Sequence, residues 1–397
     1  MGCRFFISTI NVLNFFILLQ YYKKLMNSVV NNILKAHPHQ TKSFYVSSPK
    51  IVEDLIDQWT ILFPRVTPHY AVKCNNDEVL LKTMCDKNVN FDCASSSEIK
   101  KVIQLGVSPS RIIFAHTMKT IDDLIFAKDQ GVDIATFDSS FELDKIHTYH
   151  PNCKMILRIR CDDPNATVQL GNKFGANEDE IRYLLEYAKQ LDVEVIGISF
   201  HVGSGSRNPE AYYRAIKSSK EAFNEAISIG HKPYILDIGG GLHADIDEGE
   251  ISTYMSDYIN DAIKDFFPED TVTIVAEPGR FFAEHYSVLA TQVIGKRVRD
   301  GLYEYFFNES TYGGFSNVIF EKSVPTPQLL RDVPDDEEYV PSVLYGCTCD
   351  GVDVINHNVA LPEMNIGDWV YFPSWGAYTN VLTTSFNGFG EYDVYYI

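Results

Sequence analysis

Short apolar runs recur along most of the chain, and the sequence after nearly every run has the spacing of a helix. Eight of these runs end at residues that can do chemistry or at glycines: HYAVK, NFDCAS, RIIFAH, IATFD, MILRIR, VIGISFHV, YILDIGGG and TIVAEPGR. Packing explains the apolar middle of a core strand, but it does not explain a polar residue at the same end each time. Parallel barrels do, because their strands all point one way and their active sites lie at the carboxyl ends. The pattern therefore predicts both a fold and the end of it that carries the function.

The segments between the runs carry apolar residues at helical spacing. SSEIKKVIQLG and TIDDLIFAKDQG are examples, and several segments begin with Ser, Asp or Asn and end near Gly, as helix boundaries prefer. Strand and helix alternate with a repeat of roughly thirty residues, which favours parallel pairing through right-handed crossovers. An open doubly wound sheet is the alternative. Eight units, with no Gly-x-Gly-x-x-Gly after the first strand, favour an α/β fold with a closed (β/α)8 barrel.

The composition changes after about residue 283, where Val, Tyr and Phe dominate and few helical stretches occur. EHYSVLATQVIGKRVR, LYEYFFNE, SVLYGCTCDGVDVI, DWVYFPSW and EYDVYYI are typical of strands, as is KSFYVSS near residue 45, whereas RDVPDDEEYVP predicts a solvated loop. We therefore predict a barrel over residues 49–282 and an all-β domain over 283–397. Residues 26–48 would join the β domain through one or more strands.

The N-terminal extension, residues 1–25, has an apolar stretch from Phe5 to Tyr22. Asn11, Asn14 and Gln20 interrupt it, and no small-residue cleavage site follows, which argues against a signal peptide or a membrane anchor. A faint acylation start, Met-Gly-Cys, lacks the expected Ser or Thr. We favour a natural start at Met26, with the extension outside the working protein.

Charge and cysteine usage exclude some classes of partner. The formal net charge of -19 argues against binding to nucleic acid or to an anionic membrane. The 8 cysteines are scattered, and Cys347 and Cys349 are too close for a usual zinc-ligand pair, so no metal site is predicted. Scattered thiols are typical of a reducing compartment, which predicts a cytoplasmic protein, in the host cytosol if the source is viral.

Two single residues stand out at predicted strand ends. Lys73 ends the first run, and a lysine in a barrel mouth is expensive unless it is paired, exposed or covalently used. By itself it is most often a salt-bridge lysine. His201 ends the sixth strand, and by itself it is most often a hydrogen-bonded core histidine.

Glycine-rich turns change this interpretation. Gly239–Gly241 follows strand seven and Gly203, Ser204 and Gly205 follow strand six, so both turns could expose backbone N–H groups to a phosphate. Arg280 could add a positive charge. A tight turn is an equally good explanation for three glycines alone. A lysine, a phosphate cradle, a histidine and the buried carboxylate of Glu277 together fit pyridoxal phosphate.

Eight ordered motifs then carry a resemblance to a known family. HYAVKCN, FDCASSSEI, FHVGSGS, LDIGGG, AEPGR, YGCTCDG, GDWVYFPSWGAYT and FNGFG resemble the ornithine/arginine/diaminopimelate decarboxylases, which are fold-type III pyridoxal phosphate enzymes. The resemblance runs from about residue 40 to the C-terminus; it is close to eukaryotic ornithine decarboxylases and closer still to a viral arginine-decarboxylating branch. It implies a barrel, a β domain and a basic amino-acid substrate.

The resemblance also implies which residues bind the cofactor. Lys73 would hold it covalently, Glu277 would hold the ring nitrogen and His201 would stack on the ring; these three and Cys349 would be catalytic. The full set of predicted cofactor residues is Lys73, Asp92, Glu98, Arg158, His201, Ser204, Gly239, Gly240, Gly241, Glu277, Gly279, Arg280 and Tyr378.

Further implied roles concern the substrate and a partner subunit. Cys349 would return a proton to Cα after carbon dioxide leaves, and Asp350 would bind the distal cation of the substrate. In the family these two residues reach the site from the partner subunit, which implies a homodimer with shared active sites. Tyr312 and Phe386 would line the substrate and interface region. Lys173 and Asp353 would bridge the subunits.

Glu321 bears on the choice of substrate. Ornithine enzymes carry aspartate at the matching position, whereas the viral arginine branch carries glutamate. Size alone does not decide, because a longer carboxylate shortens the pocket while arginine is the longer substrate. One repositioned carboxylate is typically worth about 1–3 kcal/mol of discrimination. We predict decarboxylation of L-arginine to agmatine, a step of polyamine biosynthesis, with L-ornithine decarboxylation to putrescine as the alternative.

A non-catalytic regulatory homologue is a more remote alternative. Such homologues have lost cofactor contacts, so this hypothesis predicts damage at one or more of the central residues. Lys73, Arg158, His201, Glu277 and Cys349 are all intact here. The sequence therefore favours an active enzyme.

Overall fold

The computed structural model describes residues 25–244, 246–247, 250–251 and 253–397. These residues form two compact units. One unit includes the described residues up to Asp54, of Ile246–Glu250 and of Phe282–Ile397, and the other those of Leu55–Asp245 and Ile251–Phe281. The hypotheses about the extension fall on residues 1–24, which lie outside the described residues.

The elements are numbered here in chain order. The strands are β1 (Phe44–Ser47), β2 (Val66–Ala71), β3 (Asn90–Cys93), β4 (Ile112–Phe114), β5 (Ile134–Phe137), β6 (Lys154–Arg158), β7 (Val195–Ser199), β8 (Ile235–Asp237), β9 (Ile246–Asp247), β10 (Glu250–Ile251), β11 (Thr273–Ala276), β12 (Ser287–Arg299), β13 (Leu302–Phe307), β14 (Gln328–Leu329), β15 (Tyr339–Tyr345), β16 (Val354–Pro362), β17 (Trp369–Phe372) and β18 (Asp393–Tyr396).

The α-helices are α1 (25–36), α2 (Pro49–Leu62), α3 (Glu78–Asp86), α4 (Ser96–Gln104), α5 (Ile121–Gln130), α6 (Ser140–Tyr149), α7 (Glu178–Gln190), α8 (Pro209–Ile229), α9 (Tyr254–Phe266), α10 (Arg280–Ala283) and α11 (Ser316–Glu321). Short 3-10 helices cover Val72–Cys74, Pro109–Arg111, Glu284–Tyr286, Asn380–Leu382 and Phe386–Gly388.

Eight parallel strands close the predicted barrel, in the order β11-β2-β3-β4-β5-β6-β7-β8. Each of the eight apolar runs contributes one strand, so the predicted fold is confirmed. The strands are shorter than the runs, because the chain leaves the sheet before the polar residues. Strand β2, for example, ends at Ala71, and Lys73 lies in the short helix that follows.

The barrel helices begin where the sequence places capping residues. The side chains of Asp77, Ser95, Thr120 and Ser139 each accept a backbone N–H in the first turn of α3, α4, α5 and α6, respectively. Such caps satisfy N–H groups that have no partner within the helix. Helices α5 and α8 end at left-handed glycines, as the pattern predicts.

The second unit is built on a mixed sheet. Long strand β12 pairs with β1 and β17 near its start and with β13 near its end, and β1 also pairs with β18. Tyr305, Phe307, Phe315, Phe372 and other buried residues form an apolar cluster in this unit. A smaller cluster packs Met26 and Val30 of α1 against Phe44. Strand β1, within KSFYVSS, therefore belongs to the sheet of this unit, whereas residues 25–36 are helical.

Two sequence interpretations of this unit need correction. SVLYGCTCDGVDVI is not one strand: β15 ends at Tyr345, an irregular loop covers 346–353, and β16 begins at Val354. The predicted loop RDVPDDEEYVP includes the first residues of β15. The apolar composition of both segments indicates that strands are present. It does not indicate at which residue the hydrogen-bonded pairing of each strand begins or ends.

In the part of the chain that the structure describes, no helix is both long enough and apolar enough to cross a membrane. The same residues contain no group of three or more His, Cys, Asp or Glu side chains suited to a metal ion. All seven described cysteines are free thiols.

Candidate active site

Lys73 and Asp92 meet where β2 and β3 end. Lys73 Nζ donates to Asp92 Oδ2 over 2.5 Å. The Asp92 side chain is 1% exposed, whereas that of Lys73 is 44% exposed. A buried carboxylate thus anchors a lysine whose side chain is partly exposed. This combination suits a lysine that must react with an incoming molecule.

Glu98 is held beside the end of β3 by the start of α4. Ser95 Oγ accepts the N–H of Glu98, and Glu98 Oε2 accepts the N–H of Ala94 over 2.6 Å. Burial raises the pKa of Glu98, and the hydrogen bond from Ala94 partly opposes this rise. The cap fixes the position of the carboxylate, while its contact with the cofactor stays a prediction.

Asp237, which is fully buried, and Glu277, which is half-buried, form a carboxyl pair at the ends of β8 and β11. These strands are neighbours, and the two side chains are within hydrogen-bond reach. Gly239 N–H donates to Asp237 Oδ1 over 2.9 Å. Burial raises the pKa of Asp237 to about 6. Burial, together with the charges of Asp237 and Asp92, raises the pKa of Glu277 well above its usual value. Two such carboxyls do not readily ionise together, so the pair retains a proton.

His201 lies at the end of β7 as a neutral ring. Gly203 N–H donates to His201 Nδ1 over 3.0 Å, which leaves the ring proton on Nε2. Burial, with the positive charges of Arg158 and Lys73, lowers the pKa of His201 well below its usual value. The guanidinium of Arg158 lies 4.9 Å from the ring centroid of Phe174. A neutral His201 suits a ring that is predicted to stack on an aromatic cofactor.

The turn Gly239–Gly241 presents free amide groups. Glu277 N–H donates to the carbonyl of Gly239 over 2.8 Å. Gly241 has φ +94°, and a Cβ there would lie 2.4 Å from the carbonyl oxygen of Gly203. Only glycine fits this position. Among the described residues, the amides of Gly240 and Gly241 have no acceptor, as a phosphate cradle requires.

The second glycine turn differs from the prediction. The N–H of Gly203 is bonded to His201, and the N–H of Ser204 donates to the carbonyl of Val168 over 3.0 Å. These two amides are therefore not free for a phosphate. The hydroxyl of Ser204 is the group left for its predicted role. The cause is a long-range antiparallel bridge between Val168 and Ser204.

Gly279, Arg280 and Tyr378 were predicted to complete the phosphate site. A Cβ at Gly279 would lie 2.7 Å from the Cβ of Cys74, so close packing beside Lys73 already explains this glycine. Arg280 begins α10 in the barrel unit, and Tyr378 belongs to the other unit. Their contacts with a phosphate stay predictions.

The β domain brings together four residues that the sequence assigned to the substrate or to catalysis. Tyr312 OH donates to Asp350 Oδ2 over 2.5 Å, and this hydrogen bond lowers the pKa of Asp350. The rings of Tyr312 and Phe386 are 4.5 Å apart. Cys349 is exposed, and its N–H donates to Asn387 Oδ1 over 3.1 Å. An exposed thiol and an ionised carboxylate thus belong to neighbouring residues; a hydrogen bond fixes the backbone of Cys349, and another fixes the carboxylate of Asp350.

Asp353 is buried behind this group. The residue is 2% exposed, and its carboxylate accepts the N–H and hydroxyl of Thr311 and those of Thr348, at 2.6–3.0 Å. Its predicted partner, Lys173, is exposed in the barrel unit, 5.0 Å from the ring centroid of Phe174. The predicted bridge between subunits stays a prediction, and it would compete with four hydrogen bonds within the β domain.

Glu321 lies at the end of α11, a helix that the sequence did not predict. The residue after it, Lys322, is left-handed with φ 55°, which ends the helix there. Glu321 is half-buried. Its position on a short helix means that a shift of the whole helix, and not only the side-chain length, sets the carboxylate position.

These residues fit pyridoxal phosphate. The buried Oδ1 of Asp92 accepts no hydrogen bond from the described residues, and the amine of Lys73 lies beside it. A carboxyl pair that holds a proton, a neutral imidazole and a glycine turn with free amides lie at the carboxyl ends of neighbouring strands. A reactive amine, a partner for a ring nitrogen and a site for a phosphate are what this cofactor needs.

Comparison with known proteins identifies the family. The family model for the pyridoxal-binding domain of pyridoxal-dependent decarboxylases matches residues 50–284. The chain belongs to the pyridoxal-dependent decarboxylase family. This decarboxylase is 98% identical to the solved arginine decarboxylase of Paramecium bursaria Chlorella virus, with a TM-score of 0.93, over 94% of this chain and 100% of that chain. A second solved structure of the viral protein, also 98% identical with a TM-score of 0.92, has agmatine bound.

More distant relatives of this decarboxylase are similar over most of their length. The ornithine decarboxylase of Mus pahari is 36% identical over 94% of this chain and 84% of that protein. Antizyme inhibitor 2 of Xenopus laevis is 38% identical over the same shares, 94% and 84%. The family resemblance predicted from the motifs is therefore confirmed.

Sequence reasoning missed three residues that belong to this arrangement. Asp237 is a carboxylate at the end of a strand, so the opening pattern itself could have found it before the three glycines. Asn387, which accepts from Cys349, and Tyr212, which contacts the glycine turn, carry no such signal. Each meets its partner only through long-range folding.

The polar residues after two other barrel strands form hydrogen bonds to loop backbone. Asp138 Oδ2 accepts the N–H of Gly175 over 2.9 Å, and His116 Nδ1 accepts the N–H of Met118 over 3.0 Å. A polar residue at a strand end is therefore a sign of the site end of the barrel, but not of a direct role.

Proposed function

We propose that this chain is a pyridoxal phosphate-dependent arginine decarboxylase, which converts L-arginine to agmatine and carbon dioxide. One observation carries the proposal: 98% identity over the whole solved chain of a viral arginine decarboxylase. The agmatine-bound structure of that protein supports the product. The intact residues of the barrel end support the cofactor.

The barrel residues hold and orient the cofactor. Lys73 would hold it covalently, and Asp92 keeps the amine of Lys73 in place. Gly240 and Gly241 would offer their free amides to the phosphate, and the neutral ring of His201 would lie against the cofactor ring without adding charge. When bound, pyridoxal phosphate accepts the electron pair that the departing carbon dioxide leaves behind.

The carboxyl pair controls a proton at the ring nitrogen of the cofactor. Glu277 would hold this nitrogen, and the side chain of Asp237 is within hydrogen-bond reach of Glu277. Because the two carboxyls do not readily ionise together, Glu277 could hold a proton at the ring nitrogen without a change in the net charge of the site. Asp237 therefore acts through Glu277, as a positioning residue.

The β-domain residues handle the substrate. Cys349 donates a proton to Cα after the carboxylate has left. Asp350, ionised and oriented by Tyr312, binds the distal guanidinium, to which a carboxylate can offer a two-point hydrogen-bonded contact. Glu321 recognises the same cation, and Phe386 packs on Tyr312 beside it.

The active protein is a homodimer with shared active sites. Cys349 and Asp350 would serve the site of the partner, as in the family, and Lys173 would meet Asp353 across the interface. We place the enzyme in the cytoplasm, which the free thiols of the described cysteines support. Sedimentation at a defined protein concentration tests the dimer: a monomer that retains full activity would contradict it.

Ornithine is the second candidate substrate, because ornithine decarboxylases are relatives over 94% of the chain. The deciding experiment measures kcat/KM for L-arginine and for L-ornithine on one preparation, with release of carbon dioxide and identification of the amine. We expect at least about a tenfold preference for arginine, since a matched cation site supplies about 1–3 kcal/mol. A clear preference for ornithine would overturn the proposal.

A non-catalytic role deserves the same test, because one relative is named an antizyme inhibitor. Retention of Lys73, Arg158, His201, Glu277 and Cys349 favours catalysis. A protein without a cofactor absorbance band, in which borohydride leaves Lys73 unmodified, would instead support the regulatory role.

A further inference from the structure

Tyr212 forms a hydrogen bond to the turn Gly239–Gly241. It lies in the first turn of α8, is 0% exposed, and its hydroxyl donates to the carbonyl of Gly240 over 2.8 Å. Its ring also packs edge-on against Phe200, with centroids 6.4 Å apart. Phe200 immediately precedes His201, so one tyrosine side chain contacts the segments that carry two predicted cofactor contacts.

The hydrogen bond fixes the direction of one peptide group. In a trans peptide, the C=O and the N–H of the same plane point in opposite directions. The carbonyl of Gly240 points to Tyr212, so the N–H of Gly241 points to the other side of the turn. This N–H has no acceptor among the described residues, and it is one of the two free amides of the cradle.

Other contacts already fix the beginning of the turn. Gly239 donates its N–H to Asp237 and accepts the N–H of Glu277. The peptide group between Gly240 and Gly241 has no such hydrogen bond to Asp237 or Glu277. Glycine readily adopts both signs of φ, so this peptide could rotate and turn its N–H away from a ligand. The hydroxyl of Tyr212 is the side-chain group that favours one orientation.

We propose that Tyr212 is a positioning residue for the cofactor phosphate, which it serves by holding the Gly241 N–H toward the anion. The inference rests on the proposed function, since it assumes that the turn binds this phosphate. Burial raises the pKa of Tyr212, so the hydroxyl stays protonated and donates across the working pH range. Tyr212 does not touch the anion itself.

Tyr212→Phe tests the inference, because it keeps the ring and its packing but removes the donor. Tyr213→Phe is the matched control: its hydroxyl lies one residue away on the same helix and donates to exposed Asp265. The cofactor is removed from each protein. The apo-proteins are then titrated with pyridoxal 5'-phosphate and with pyridoxal, which lacks the phosphate.

Tyr212→Phe should raise the Kd for pyridoxal 5'-phosphate about 3- to 10-fold, the range for one hydrogen bond, with less than about a 2-fold change for pyridoxal. Tyr213→Phe should change neither value. A second measurement uses inorganic phosphate, whose stabilisation of the apo-protein against heat should be smaller in Tyr212→Phe than in wild type.

The outcomes separate this inference from the proposed function. Equal Kd values in wild type and Tyr212→Phe would overturn the inference, and so would an equal loss for both titrants, because Tyr212 would then support the pocket in general. If wild-type protein binds pyridoxal 5'-phosphate no more tightly than pyridoxal, the proposed function itself is wrong.

Discussion

The amine of Lys73 lies 2.5 Å from the carboxylate of Asp92, and of the two side chains only that of Asp92 is buried. A buried charge without a partner would be costly, and Lys73 supplies the opposite charge for Asp92. In turn, the Lys73 amine donates a hydrogen bond to Asp92. The ion pair therefore fixes the position of the Lys73 amine at the end of the barrel strands.

Lys73→Ala should remove nearly all decarboxylase activity, because no other amine replaces the covalent attachment of the cofactor. Borohydride reduction followed by peptide mass spectrometry should locate the cofactor on Lys73 in wild type and nowhere in the variant. Lys82→Ala, at an exposed position on α3 paired with Asp86, is the control and should keep wild-type activity. Full turnover by Lys73→Ala would rule out the proposed mechanism.

Asp237→Asn should change the pH dependence of apo-protein stability. The pKa of Asp237 is raised by burial, to about 6, so the folded state binds more protons than the unfolded state between about pH 4 and pH 6. Stability from this group is therefore present at low pH and is lost as pH rises through this window. Asparagine cannot ionise, and its variant should lose less stability over the window.

Thermal midpoints of apo-protein at about pH 5 and about pH 7.5 measure this effect as a difference between wild type and variant. Asp265→Asn, at an exposed position, is the control and should follow wild type. Identical pH profiles for wild type and Asp237→Asn would show that Asp237 carries no shared proton.

Cys349→Ala should lower turnover by about 10²-fold or more, because a positioned proton donor contributes this much. If the proton goes to the cofactor carbon instead of Cα, the product is an aldehyde in place of the amine. Chromatography of the products would reveal this by-product. Cys347→Ala is the matched control, since burial raises the pKa of Cys347 to about 12 and keeps it an unreactive thiol. Normal products at the normal rate from Cys349→Ala would assign the proton to another group.

Glu321→Asp should shift substrate preference from arginine toward ornithine. Moving one carboxylate by a methylene is worth about 1–3 kcal/mol, so the ratio of the two kcat/KM values should change about 10- to 100-fold. Glu338→Asp, in an exposed loop, should leave the ratio unchanged. An unchanged ratio in Glu321→Asp would place specificity elsewhere in the β domain.

The barrel and most of its chemistry could be predicted from the sequence. Strand-length apolar runs that end in polar residues are a local signal, and Lys73, His201 and Glu277 stand at those ends. The Val-, Tyr- and Phe-rich composition of the β domain is also a local signal, and it predicted the strands β12, β13, β17 and β18. Loop boundaries such as 346–353 were not predicted, because pairing partners and not composition decide where a strand stops.

The sequence by itself determined the fold class, the family and the residue types at the site end of the barrel. Tertiary structure alone decided which of these groups act together. It brought Asp237 to Glu277 and Tyr212 to the carbonyl of Gly240, and it engaged the amide of Ser204 with Val168. The physical reason is that apolar periodicity depends on residues that are close in sequence. Hydrogen bonds and shared protons instead depend on distances between residues that only the folded chain sets.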